Sequence, residues 1–153
     1  MSQAKCRILC VDDHEDTSEM LTLLLAQEDY EVVTAVTVQE ALQLAKTKQF
    51  DLYVLDKRLP DGSGLDLCKK LTLLTPGVPW MFYTGDAYEM HKYEAIAAGA
   101  DSYVAKPDID GLIDGVNRLL GGKECATSAG VVPARQLHFQ CVLELREGGA
   151  VHL

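Results

Sequence analysis

Residues 6–13 read Cys6-Arg7-Ile8-Leu9-Cys10-Val11-Asp12-Asp13, a nearly continuous apolar run that closes on two carboxylates. Four runs of the same kind follow, at residues 31–35, 52–56, 80–83 and 102–105, each short and rich in β-branched or aromatic residues. Continuous rather than alternating apolar character is what a strand needs when both of its faces are covered, as in a parallel sheet. Between the runs the period changes to that of a helix. Met20, Leu21, Leu24 and Leu25 form one stripe, and Leu67, Cys68, Leu71 and Leu74 another. Thr37-Val38-Gln39-Glu40 is a capping box that opens a helix with Ala41, Leu42 and Ala45 on its inner face. The fourth helix, about residues 87–98, is Ala-rich and less clearly striped. Ile109, Leu112, Ile113, Val116, Leu119 and Leu120 give the cleanest helical period of the chain. Five successive βα units predict an α/β fold, a doubly wound parallel sheet closing near Gly121-Gly122.

The composition sets limits on function. With 153 residues, 14 Lys+Arg and 23 Asp+Glu, the net charge is −9; 48% of residues are hydrophobic and 24% charged. This is one ordinary globular domain with little chain left for a second. An acidic domain repels a phosphate backbone, so direct nucleic-acid binding is not expected. No apolar run nears the roughly 20 residues of a membrane span, and no signal-peptide pattern opens the chain, so a cytoplasmic protein is expected. Cys6, Cys10, Cys68, Cys125 and Cys141 contain no C-x-x-C pair, and their apolar neighbours read as buried, reduced thiols.

After Gly122 the character changes. Lys123, Arg135 and Arg146 balance Glu124, Glu144 and Glu147, so the whole negative charge belongs to the α/β part. The reading divides the chain into a domain at 1–121 and, at 122–153, a linker followed by a tail. In residues 137–146 apolar and polar side chains alternate, and Glu147-Gly148-Gly149 could turn that strand back as a hairpin. A lone hairpin is marginal in water, so the segment would cap the domain, pair with another chain, or begin an output domain.

In a doubly wound sheet function sits beyond the carboxyl ends of the strands. The first strand ends in Asp12-Asp13 and the third, its expected neighbour, in Asp56. One Asp after a strand ordinarily caps a helix or makes a turn. Three converging from two strands repel one another, and a hard cation with oxygen ligands relieves that; Mg2+ or Mn2+ suits the set. The fourth strand leads to Thr84 and the fifth to Lys106-Pro107, adding a hydroxyl and an ammonium. Taken singly neither is informative. Together these are the groups that transfer and hold a phosphoryl group, with an Asp as nucleophile.

The ordered set Asp12-Asp13, Asp56, Thr84 and Lys106-Pro107, with Leu59-Pro60-Asp61-Gly62-Ser63-Gly64 after Asp56, resembles the receiver domain of two-component response regulators. The resemblance covers about residues 5–120 and implies a flavodoxin-like (βα)5 sheet of order 2-1-3-4-5. It implies that Asp56 is the phosphoacceptor, fed by a sensor histidine kinase or a phosphotransfer protein. Mg2+ would be held by Asp13, Asp56 and the Arg58 backbone carbonyl, with Asp12 acting mainly through a water. Lys106 would pair with Asp56 and then with phosphoryl oxygens, Thr84 would move to the phosphoryl group, and Tyr103 would be the switch aromatic. The Lys106-Pro107 bond is implied to be cis. Phosphorylation adds roughly two negative charges, so the surface of the fourth helix, fifth strand and fifth helix would change for a downstream partner, with a homodimer through that face as one form. Such a module assists only its own phosphorylation and dephosphorylation and is not otherwise an enzyme.

Some residues depart from the family pattern or compete with it. Lys57 and Arg58 follow the acceptor; strand alternation sends them to opposite sides, and Arg58 near an acyl phosphate would alter its lifetime. His14 opens a helix and reads as a surface His pointing away from the site; His91, His138 and His152 carry no motif. Met90, Tyr88 and Tyr93 on the fourth helix suit a partner face or core packing. A phosphatase with a D-x-D nucleophile would need a carboxylate where Arg58 stands. A dinucleotide fold would need its glycines after the first strand, and Leu67 takes the third glycine's place. A P-loop is absent. The remaining alternative is a pseudo-receiver, an interaction module of this fold that takes no phosphate.

Overall fold

The computed structural model describes residues 5–85 and 89–121. The expected tail hairpin, Cys125, Cys141, His138, His152, Asp86 and Tyr88 lie outside these. The strands are β1 (Arg7–Val11), β2 (Glu31–Ala35), β3 (Leu52–Leu55), β4 (Trp80–Thr84) and β5 (Ser102–Ala105). The helices are α1 (Glu15–Gln27), α2 (Val38–Thr47), α3 (Gly64–Leu74), α4 (Glu89–Ala97) and α5 (Ile109–Leu120). A two-residue antiparallel ladder joins Arg58–Leu59 to Gly62–Ser63 at the entry to α3.

All pairings in the main sheet are parallel, in the order β2-β1-β3-β4-β5, as expected. Alternate residues of the central strands feed two cores. Leu9, Val11, Tyr53, Leu55 and Phe82 pack with α2 and α3 through Val38, Ala41, Ala45, Leu67, Cys68 and Leu71. Ile8, Cys10, Leu52, Val54, Met81 and Tyr83 pack with α1 and α5 through Leu21, Leu25, Leu112, Val116 and Leu120. Covering both faces is what makes the strand sequences continuously apolar.

The helix starts follow from capping. Thr37, Ser63 and Asp108 each accept a hydrogen bond from a backbone N–H in the first turn that follows, of Glu40, Asp66 and Gly111. The expected box at α2 is slipped by one residue, because the Glu40 carboxylate accepts from Val36 N–H at 2.8 Å rather than from Thr37. Leu74, expected on the buried stripe of α3, is the last helical residue and is exposed. Cys10 and Cys68 are free and buried, with burial pushing their thiols up to about 12 and about 11. Cys6 is disulfide-bonded, which corrects the expectation of a reduced thiol there. Among the described residues no helix is long and apolar enough to cross a membrane.

Candidate functional site

Three parallel strands bring their carboxyl ends together because their registers are aligned: Val11 pairs with Leu55, and Leu55 with Phe82. The residues just past Val11 and Leu55 are Asp12 and Asp56, and both are buried, at 3% and 6% exposure. Asp13, one residue further on, is more open. Backbone donors hold the two buried carboxylates. His14 N–H donates to Asp12 Oδ1 at 2.8 Å, and Lys57 N–H donates to Asp56 Oδ1 at 2.7 Å. These bonds fix the rotamers and leave the second oxygens to face the site.

Lys106 reaches those second oxygens from the end of β5. Its Nζ donates to Asp12 Oδ2 at 2.7 Å and to Asp56 Oδ2 at 3.4 Å, so its nearer partner is Asp12 rather than Asp56. Burial disfavours the ammonium, but the hydrogen bond to Asp12 and the charges of Asp56 and Asp12 outweigh it, and the Lys106 pKa is raised. The Nζ lies 5.8 Å from the centroid of the Tyr83 ring, whose hydroxyl burial pushes up in pKa. The Lys106-Pro107 peptide is cis, as expected. Thr84 ends β4 as a buried residue, and its carbonyl accepts from Lys106 N–H at 2.8 Å. Tyr103 is half-buried, edge-on to Phe82 at 5.9 Å.

The loop after Asp56 is tightly held. Gly64 donates its N–H to the Lys57 carbonyl at 2.8 Å. A Cβ at Gly64 would collide with the Asp56 carbonyl oxygen and the Phe82 ring, so glycine is required beside Asp56. Asp61 accepts from Val38 N–H at 2.7 Å and Gln39 N–H at 3.0 Å, joining this loop to the start of α2. Those bonds, Val38's foremost, hold its carboxyl below the usual range.

Two residues stand differently from the sequence reading. His14 does not point away. It is the N-cap of α1 in extended backbone, and although its side chain is 68% exposed, Nδ1 turns inward. It lies 3.0 Å from Asp12 Oδ1, 3.2 Å from Asp13 Oδ1 and 3.9 Å from Asp56 Oδ2. The signal was in the chain: a residue still in the loop, one step past an acidic pair, starts from the strand's end rather than from the helix surface. Lys57, not Arg58, has the inward side chain. Its side chain is 12% exposed and its ammonium lies 3.8 Å from Glu94 on α4, whereas Arg58 is exposed and makes no ion pair with the carboxylates among the described residues.

Asp12, Asp13, His14 and Asp56 each offer a ligand atom within 4.8 Å of the others. Three carboxylates and one ammonium leave excess negative charge, and the oxygen donors fit a hard divalent cation with room for water.

The chain matches the response regulator receiver domain over residues 8–117. It belongs to that family. It is 34% identical over 101 residues to the cell cycle transcriptional regulator CtrA of Caulobacter vibrioides, covering 66% of this chain and 44% of CtrA. To the alkaline phosphatase synthesis transcriptional regulatory protein PhoP of Bacillus subtilis it is 38% identical over 101 residues, 66% of this chain and 42% of PhoP. The receiver thus spans less than half the length of these relatives. Among solved structures, the non-phosphorylated HemR receiver domain of Leptospira biflexa is 35% identical with a TM-score of 0.71, covering 76% of this chain and 95% of that one. The response regulator TrrA of Thermotoga maritima, in complex with Mg(2+)-BeF, is 33% identical with a TM-score of 0.68, covering 75% and 99%.

Proposed function

We propose that this receiver is a phosphorylation-dependent signalling switch of a two-component system, acting in the cytoplasm, with Asp56 as the phosphoacceptor. The observation that carries this reading is the convergence of Asp12, Asp13 and Asp56 with the Lys106 ammonium at one end of the sheet. A sensor histidine kinase or a phosphotransfer protein supplies the phosphoryl group. An Asp56 carboxylate oxygen forms the O–P bond as the P–N bond of the donor phosphohistidine breaks, and the partner's imidazole leaves.

Asp13, Asp56 and the Arg58 carbonyl would hold Mg2+, with Asp12 acting mainly through a water. When bound, such an ion would neutralise charge on the transferred group. Lys106 keeps its proton and moves its hydrogen bonding toward phosphoryl oxygens. Thr84 donates a hydroxyl hydrogen bond to the same group. Tyr103, half-buried against Phe82, follows Thr84 inward, and the surface of α4, β5 and α5 changes for a downstream protein. The domain assists its own phosphorylation and hydrolysis and is not otherwise an enzyme. Arg58, exposed two residues past Asp56, sets the lifetime of the acyl phosphate against water.

The test is the intact mass of the protein after incubation with a small-molecule acyl phosphate and Mg2+. One phosphoryl adduct is expected on the wild type and none on Asp56→Asn. An unlabelled wild type, under conditions that label another receiver, would overturn the reading in favour of an interaction module that takes no phosphate.

A further inference from the structure

The geometry points to His14 as a nitrogen donor to the divalent ion of this pocket, which tilts the site toward first-row ions that accept imidazole (Co2+, Ni2+, Zn2+) and away from a pure preference for Mg2+. The inference rests on the metal-binding reading above.

Its first support is spacing. Donors bound about 2.1 Å from one ion stand about 3.0 Å apart when adjacent and about 4.2 Å apart when opposite, for bond lengths usual in such sites. His14 Nδ1 stands 3.0 Å from Asp12 Oδ1, 3.2 Å from Asp13 Oδ1 and 3.9 Å from Asp56 Oδ2. Asp13 and Asp56 are the two carboxylates assigned to the ion, and a nitrogen 3.2 Å and 3.9 Å from their oxygens lies within the range that donors sharing one ion span, while the contact to Asp12 orients the ring.

The second support is the way the ring is held. His14 is fixed at both ends of its short side chain: its backbone N–H donates to Asp12 Oδ1, and its ring nitrogen returns to the same oxygen. The extended backbone at the helix start, φ −93° and ψ 113°, lets both contacts form. A surface His serving only as a cap would bond a first-turn N–H, and the His14 side chain makes no such bond. The ring is mostly exposed, so when Nδ1 gives its lone pair to an ion the proton rests on Nε2 in water, and the ligand is the neutral imidazole.

The third support is donor chemistry. A pocket of carboxylates and carbonyls suits Mg2+ and Mn2+, whereas one imidazole adds affinity for the later first-row ions. The other charged group in the pocket, Lys106, approaches Asp12 Oδ2 and Asp56 Oδ2 and offers no lone pair.

Co2+ and Mg2+ are titrated separately into the full chain and into His14→Ala and His14→Gln, with Mg2+ also used to displace bound Co2+. We expect Co2+ to bind the wild type at least about tenfold more tightly than either variant, to yield the shared site only to a large excess of Mg2+, and Mg2+ affinity to stay within about twofold across all three. The Mn2+-loaded wild type should show nitrogen modulation in its electron spin echo that His14→Ala lacks. Equal Co2+ affinity in the three proteins or an unchanged echo would overturn the role of His14 while the phosphorylation-switch reading stood. Failure of the wild type to bind Mg2+ would instead strike the receiver reading itself.

Discussion

Helices α4 and α5 flank the same strand, β5, and are seated very differently. α5 buries Leu112, Gly115, Val116 and Leu120, a full stripe along its length. α4 buries Ala95 alone and leaves Met90 at 70% and Tyr93 at 72% exposure. A helix held by a broad apolar face is fixed by area removed from water; one held by a methyl group is not. What α4 has in addition is the Lys57–Glu94 ion pair, which ties it to the residue after Asp56. The less firmly packed helix is thus the one wired to the loop that follows Asp56.

The largest effect that would sharpen this contrast is on stability. Leu112→Ala should lower the unfolding free energy by about 2–5 kcal/mol, while Tyr93→Ala should stay within about 0.5 kcal/mol, both read from urea denaturation. Similar losses in the two variants would break the distinction. A smaller effect is expected at the tie itself. Glu94→Ala should change stability by no more than about 1 kcal/mol, because its carboxylate is half in water. Hydrogen exchange of the α4 amides should nonetheless quicken in that variant while α5 stays protected. Unaltered exchange in α4 would mean that the ion pair does not restrain it.

The smallest effect concerns the loop tie between Asp61 and the start of α2. Asp61 has its folded pKa below the ordinary 3.8, so the stability it contributes is present above that value and is lost as pH falls through the folded pKa. On acidification below about pH 4 the wild type should therefore lose more stability than Asp61→Asn, measured by denaturation at each pH. Parallel curves would show that the two backbone bonds to α2 add nothing to folding.

Much of the fold was legible because each strand is covered on both faces. A segment such as Leu52-Tyr53-Val54-Leu55 has no polar face to lose, and its neighbours in the sheet require only short crossovers. The cap at Thr37 was legible from local chemistry, since its hydroxyl accepts from a backbone N–H three residues on. The depth of the covering layer was not: Leu74 has the same period as Leu67, yet the helix ends there in solvent.

At the site the chain determined which groups arrive, because Asp12, Asp13, Asp56, Thr84 and Lys106 each follow or end a strand whose position the apolar runs mark. Tertiary structure alone decided which group meets which. Lys106 is 94 residues from Asp12 and 50 from Asp56, and the 2.7 Å and 3.4 Å separations depend on how far β5 is displaced from β1 and β3 across the sheet. Lys57 finds Glu94 on a helix beyond β4, and the inward turn of the His14 ring comes from the backbone angles of one loop residue. Periodicity assigns a side chain to a face; only the packed neighbours and the loop dihedrals set its final ångström.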